Sequence, residues 1–469
     1  MTSRVFVLGL DGATLDIVVR LAAQGTLPNF GKLIAESTYG DLASTIHPLT
    51  PQAWTSFLTG VNPGKHGIFG FSRRKPDGYS TELVTAADRQ SPPIWELLDE
   101  HAGLTSGVVN VPLTWPPSRL NGFVVTGMHS PSLERATYPP RLAEEIIQQV
   151  PDYVVDLMSY DFKDMERFVS SVHAMIAARW KAVRYLYDRY RPAFFCCVFV
   201  GSDRIQHAFW QDGGTGEDHI SSEIVGIYRE YDRILGELLS LLSEDTTLLV
   251  MSDHGFGPLK GDVYLNQFLL DRGFLQLRRR ARPPTPQRSL DPSQGADVVD
   301  WGKTKAYAIG LFGNIFVNVR GREPEGIVAA GRRYERLRDS LVAELLAWTH
   351  PEDGTPVVTR VFRGEELYCG PFVSQGPDLV VILRDYAYIT RGGNEYSFGQ
   401  LFAEPRVNHT GNHRINGLLV ARGPGIRRGG RIYGARLIDL APTILHRLDV
   451  AAPEHLDGEI LHELLEVSS

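Results

Sequence analysis

The chain has 469 residues, of which 43% are hydrophobic and 22% charged, enough to bury a core of one large domain or two. Its 48 Lys+Arg against 55 Asp+Glu leave a formal charge of −7, which excludes a whole-protein attraction to nucleic acid or to an anionic membrane surface. Three cysteines, with Cys196 and Cys197 adjacent, exclude a disulfide framework and a cysteine-based zinc site, so a reducing compartment is expected.

The opening segment is too short for the apolar region of a secretory leader and reads as a first strand, VFVLGLDG, that stops at Asp11. In LTPQAWTSFLTG, Thr50 followed by Pro51 predicts a helix N-cap with proline at the first helical position, and Gly60 closes that helix. A hydroxyl at such a helix start stands where the macrodipole favours phosphate. Residues 128–161 form a candidate cap insertion. The stretch from Lys163 to Tyr190 predicts a helix ending before Pro192, and FFCCVFVGSD is a second apolar run, ending at Asp203. His207 lies four residues beyond Asp203, on the same face if a helix starts there.

Ile220, Ile224, Ile227, Tyr231, Ile234, Leu238 and Leu241 recur at helical spacing and lead into TLLVMSDHG, a third run that ends at Asp253 and His254. In an extended strand end these two consecutive side chains point to opposite sides, towards two different ions. The longest apolar run, Ala193 to Val200, falls well short of the roughly 18 residues of a membrane span, so a soluble, cytoplasmic protein is expected. From Arg278 the Pro- and Arg-rich stretch to Asp300 has no periodicity and makes 278–307 a candidate flexible insertion. Strand-like AYAIGLFGNIFVNV, a helix from Val328 to Trp348 and the strand PDLVVIL follow. His413 then precedes the apolar GLLVARG, and a last helix starts near Leu437.

Apolar runs without alternation suit strands buried on both faces, as in a parallel sheet covered by helices, and their terminal carboxylates then share the edge where such sheets bind ligands. Three aspartates and three histidines supply the oxygen and nitrogen donors that zinc or manganese takes. Six donors plus a hydroxyl exceed one tetrahedral ion and suit two, an arrangement that can activate Thr50 and steady a phosphoryl group.

Thr50, Thr59-Gly60, His66-Gly67 and the ordered aspartates and histidines together resemble the alkaline phosphatase superfamily, in particular its type I phosphodiesterase and nucleotide pyrophosphatase branch. The likeness runs from Val5 to the LDGEIL segment at Leu456 to Leu461. It implies an α/β fold, an alkaline phosphatase-like three-layer sandwich with a mainly parallel central sheet, helices on both faces and inserted cap segments, as a single catalytic domain over 1–469. It implies a hydrolase with Thr50 as nucleophile, one divalent metal ion held by Asp203, His207 and His413, and another by Asp11, Asp253, His254 and Thr50. His409 competes with His413, and the GNHR context before a strand favours His413. Zn2+ is the expected ion and Mn2+ the alternative, and the substrate is a small phosphate ester or nucleotide.

The chain departs from the branch at Ile68-Phe69-Gly70-Phe71-Ser72, where nucleotide pyrophosphatases place an asparagine on a nonbridging phosphate oxygen. Asn110, Lys65 and Arg204 are the substitute substrate-binding candidates. Aromatic residues near the ligands, Trp54, Phe57, Phe69, Phe71, Phe209 and Trp210, favour diesters. The other readings are a phosphomonoesterase, a phosphomutase, whose relatives use serine where Thr50 stands, and a binding protein that has lost activity. A sulfatase is excluded by the missing Cys-x-Pro-x-Arg motif.

Overall fold

The runs that end at Asp11, Asp203 and Asp253 are neighbouring strands of one nine-stranded sheet in the computed structural model. In chain order its strands are β1 (Arg4–Leu10), β2 (Thr38–Ala43), β3 (Ser106–Val109), β4 (Gly122–Val125), β5 (Thr137–Tyr138), β6 (Phe194–Phe199), β7 (Thr246–Met251), β8 (Asn416–Arg422) and β9 (Gly430–Ile432). They lie in the order β9-β2-β8-β7-β1-β6-β3-β4-β5. β1 sits between β6 and β7 and is parallel to both, with Leu8 opposite Cys197 on one side and Val250 on the other. β3 is parallel to β4 and β6, and β2 to β9. β8 runs antiparallel between β2 and β7, and β5 is an antiparallel edge.

Strand alternation sorts the apolar residues onto two faces. Phe6, Leu8 and Leu10 pack with the helices Leu15–Ala23, Pro28–Glu36, Met165–Tyr190 and Ser222–Leu241. Val5 and Val7 pack with Thr50–Thr59, Ile94–Ala102 and Leu440–Arg447 on the other side. This is the three-layer α/β sandwich that the unbroken apolar runs require. The helix expected from Lys163 is capped by Asp164, whose side chain accepts from the Arg167 amide, and it ends at Arg191, just ahead of Pro192. Ser221 caps the following long helix in the same way.

The structure describes residues 3–157, 164–210, 220–278, 298–390 and 399–466, which divide into two units. The first is built from Met1–Asn62, Thr85–Gly257 and Val407–Ser469, and holds the large sheet. The second is built from Pro63–Val84 and Pro258–Arg406. Its four-stranded antiparallel sheet takes the order Ala306–Ile309, Gly313–Val317, Leu379–Leu383, Val358–Arg363, and Leu341, Leu345 and Trp348 join its core. The helix expected over Val328 to Trp348 spans Arg332–Leu346. Most of the proposed Arg-rich insertion, 279–297, lies outside the described residues, as do 158–161 of the proposed cap. The ends of the former meet at an antiparallel bridge between Leu277 and Val299. Among the described residues no helix is long and apolar enough to cross a membrane.

Candidate metal centre

Asp11 follows β1 directly, Asp203 lies in the first turn of the helix Gly201–Phe209 that follows β6, and Asp253 and His254 follow β7. Three adjacent parallel strands thus deliver three carboxylates to one edge of the sheet. Gly12, at φ +71°, turns the chain sharply behind Asp11, and a Cβ there would stand 2.9 Å from the Phe256 ring. Its amide donates to Asp253 Oδ1 at 3.3 Å, while Trp54 Nε1 donates to Asp11 Oδ2 at 3.0 Å.

Two trios form. Asp203, His207 and His413 place one donor atom each within 4.8 Å of one another, and so do Asp11, Asp253 and His254. Asp203 and His207 share a helical face, as their spacing predicts. Asp253 and His254 do not diverge as an extended strand end would make them. The strand stops at Met251, a bend at Asp253 follows, and His254 Nε2 lies 3.4 Å from Asp253 Oδ2 in the same trio.

Each histidine has a fixed tautomer. His207, His254 and His413 donate Nδ1–H to the carbonyls of Gly411, Gly255 and Pro48 at 3.0, 3.1 and 2.7 Å, because a carbonyl only accepts. All three Nε2 atoms therefore face the carboxylates, where their neutral forms can ligate a cation. His413 Nε2 stands 3.0 Å from His207 Nε2. Asp11 Oδ1, Asp203 Oδ1 and Asp253 Oδ2 are buried and accept no hydrogen bond from the described residues. Nitrogen atoms converging on carboxylate oxygens that accept no bond from the described residues, in a setting where an uncompensated carboxylate costs several kcal/mol, fit divalent cations.

The protonation equilibria carry the same signature. Burial, and then the neighbouring Asp203 charge, holds the Asp11 carboxyl well above its usual range, and burial with Asp11 and Asp203 does the same to Asp253. Burial also raises Asp203, but the His207 and His413 imidazoles outweigh it and hold that carboxyl well below. His254 is pushed well down by burial and by His413, and His413 is lowered chiefly by burial. A bound cation reverses the penalty on the carboxylates.

Thr50 is the first helical residue and Leu49 the N-cap, one residue off the sequence expectation. The Thr50 hydroxyl makes no cap and points instead to His254 Nε2 at 3.5 Å, 2% exposed. His409 reaches His207 from outside the trio, with its Nε2 3.2 Å from Nδ1, and His413 takes the inner place. His66 accepts from the Ile68 amide and shapes its own turn.

The substitute substrate candidates are Asn110, Lys65 and Arg204. Asn110 is buried in the first unit and fully engaged, donating to the Thr126 and Val155 carbonyls and accepting from Tyr153 Oη. Arg204 binds the Asp203 and Asp156 carboxylates, and Lys65 sits on the turn Pro63–His66 of the second unit. Trp54 and Phe57 are core residues, so their aromatic faces are not available to a ligand. Sequence reasoning did not anticipate the indole donor on Asp11 or the Asp156 partner of Arg204, contacts that bridge 43 and 48 positions of chain.

The sequence model of the family described as type I phosphodiesterase / nucleotide pyrophosphatase matches residues 5–414. Among solved structures, human ectonucleotide pyrophosphatase / phosphodiesterase 5 superposes with a TM-score of 0.58 at 15% identity, covering 99% of this chain and 100% of that one. The murine protein of the same name, in an inactive form in complex with AMP, gives the same TM-score, identity and coverage. At that identity the likeness is one of fold. No curated protein matches the chain in sequence.

Proposed function

The chain belongs to the type I phosphodiesterase / nucleotide pyrophosphatase family and is a phosphate-ester hydrolase, and from that premise we propose that it cleaves phosphodiesters with Thr50 as nucleophile and two divalent cations, zinc or manganese. The observation that carries this reading is the convergence of the two trios with the Thr50 hydroxyl, which stands at a helix start, makes no cap and lies 3.5 Å from His254 Nε2. Asp203, His207 and His413 would hold one cation, and Asp11, Asp253, His254 and Thr50 the other. Cations held there would supply Lewis-acid chemistry to a phosphate ester beside Thr50.

The chain's own residues do the rest. Thr50 Oγ gives its proton to solvent and attacks phosphorus as the bond to the leaving oxygen breaks; the leaving group takes a proton from solvent and departs as an alcohol, and the phosphoryl group with its remaining substituent stays on Thr50 as an ester. Water then cleaves that ester and restores the hydroxyl. The start of the Thr50 helix carries the positive end of its dipole beside the same hydroxyl. Trp54 and the Gly12 amide fix the outer oxygens of Asp11 and Asp253, so the inner oxygens keep one orientation through the cycle. The AMP complex of the murine fold relative supports nucleotides as one class of substrate.

A panel of bis(p-nitrophenyl) phosphate, p-nitrophenyl phosphate and nucleotide pyrophosphates, assayed with zinc, manganese and magnesium alongside metal analysis of the purified chain, tests the proposal. Two bound ions with metal-dependent diester hydrolysis are expected. A folded protein that binds no metal and turns over none of these esters would leave a binding protein in its place.

A further inference from the structure

The loop that precedes residue 158 is tied to the sheet by buried polar groups rather than by apolar packing alone. Arg179, 1% exposed, donates to the Val155 carbonyl at 2.6 Å and to the Val198 carbonyl at 2.9 Å. Asn110 donates to the same Val155 carbonyl and accepts from Tyr153 Oη at 2.5 Å. The next residue, Asp156, is thereby aimed at Arg204, with Oδ2 2.8 Å from the guanidinium Nη2. Through Nη1 the same guanidinium donates to Asp203 Oδ2 at 3.3 Å. All three side chains are largely buried, Arg204 at 12% exposure, Asp156 at 4% and Asp203 at 5%.

A buried ion pair is weak ground for stability, because desolvation cancels most of its attraction. Its geometry here does something more specific. Arg204 holds the outer oxygen of Asp203, and the inner oxygen is left facing His413 Nε2 at 3.2 Å and His207 Nε2 at 3.4 Å. Asp156 in turn anchors the guanidinium and neutralises it, which keeps it from swinging towards the inner oxygen or an anion in the site. We propose that Asp156 and Arg204 are a positioning pair that orients Asp203 and so sets the metal affinity of the Asp203–His207–His413 trio, leaving the Asp11–Asp253–His254 trio alone. The proposal rests on the metal reading above and adds a residue pair to it.

The test is zinc titration of the full chain against a chromophoric chelator, for the unmodified protein, Asp156→Asn, Arg204→Gln and Arg204→Lys, with Asp203→Asn marking which of the two affinities belongs to that trio. Disturbing an outer hydrogen bond of a ligand typically weakens binding about 10–100-fold, and that loss is expected at the Asp203 site alone in Asp156→Asn and Arg204→Gln. Arg204→Lys keeps the charge without the fork and should fall between. Because the pair acts as one unit, the double variant should be no weaker than Arg204→Gln. Melting with and without zinc separates positioning from mere support: removing one partner of the buried pair lowers the melting temperature in chelator, and positioning adds a smaller zinc-induced rise, which a purely supporting role would leave unchanged.

Wild-type affinity at both sites in folded Arg204→Gln would overturn the proposal, as would an equal loss at both sites. Should Arg204→Gln fail to fold, Arg204→Lys decides: unchanged zinc affinity there overturns the positioning role. If the unmodified chain itself binds no zinc or manganese, it is the metal reading that fails, and the positioning role with it.

Discussion

The imidazole of His254 lies flat against that of His413, with 3.6 Å between centroids and 17° between planes, although the two belong to different trios. Phe256 packs against both rings, at 5.8 and 5.1 Å. Their Nδ1–H groups are fixed on separate carbonyls, Gly255 and Pro48, so the stack is rigid at both ends. The two candidate ion sites therefore share a wall whose halves are anchored separately, so a changed hydrogen bond behind one site should leave the other in place.

Asp253→Ala should abolish the Asp11–Asp253–His254 site. Asp253 sends one oxygen to the Gly12 amide and the other towards His254, so its removal frees the turn behind Asp11 as well as deleting a donor. Metal analysis after dialysis should find no more than one ion per chain, together with loss of hydrolysis. Unchanged metal content and turnover would sink the assignment.

Thr50→Ala separates chemistry from metal binding. The trios supply six donors without Thr50, so most metal should be retained, while turnover falls by several orders of magnitude, on the order of the ~10⁶ measured when another hydroxyl nucleophile is removed. Thr50→Ser should keep part of the activity, because the hydroxyl stays near His254. Near-wild-type rates in Thr50→Ala would mean that water attacks phosphorus without a threonine ester.

Trp54→Phe isolates the indole donor. Trp54 is fully buried, and its indole Nε1–H donates to Asp11 Oδ2 at 3.0 Å. Phenylalanine keeps much of the packing and deletes the bond, leaving that oxygen short of a donor. Zinc affinity at the Asp11 site should drop about tenfold or more, with the Asp203 site as internal control. Equal affinities in the variant and the unmodified chain would reduce Trp54 to a core residue.

Much of this candidate site's clustering was legible in the sequence because its residues sit where local rules act. An unbroken apolar run such as VFVLGL has to be buried on both faces, which puts Asp11 at a strand end, and the four-residue step from Asp203 to His207 is a helical one. What was not legible depends on contacts between distant segments or on a local break. The bend at Asp253 cancels strand alternation and brings His254 to the same ion site. Asn110 has the composition of a phosphate ligand but lies where Tyr153 and the Val155 carbonyl meet it. Trp54, near Thr50 on its helix, looked like a substrate platform, yet that face of the helix packs onto the sheet.

The choice between diester and monoester follows from where the charge and the aromatic surface lie. A monoester brings an additional negative oxygen at neutral pH and needs a further cation beside the ions, whereas a diester needs apolar room for its second substituent. Arg204, the basic residue adjacent to a ligand on the Asp203 helix, is held between Asp156 and Asp203. His207 is the exposed member of the trios, its side chain 30% open to solvent. At that opening Phe256 packs edge-on against His207 at 4.8 Å, the half-buried Trp210 stacks on Phe256 at 6.1 Å, and Phe209 is half-buried beside it. An aromatic rim suits an aryl or base substituent on phosphate. Bis(p-nitrophenyl) phosphate should therefore be hydrolysed with higher kcat/KM than p-nitrophenyl phosphate. Trp210→Ala should raise KM for the diester by up to about tenfold, the scale of one aromatic contact, and leave the monoester nearly unchanged. A clear monoester preference that survives Trp210→Ala would show that a cation, rather than this rim, selects the substrate.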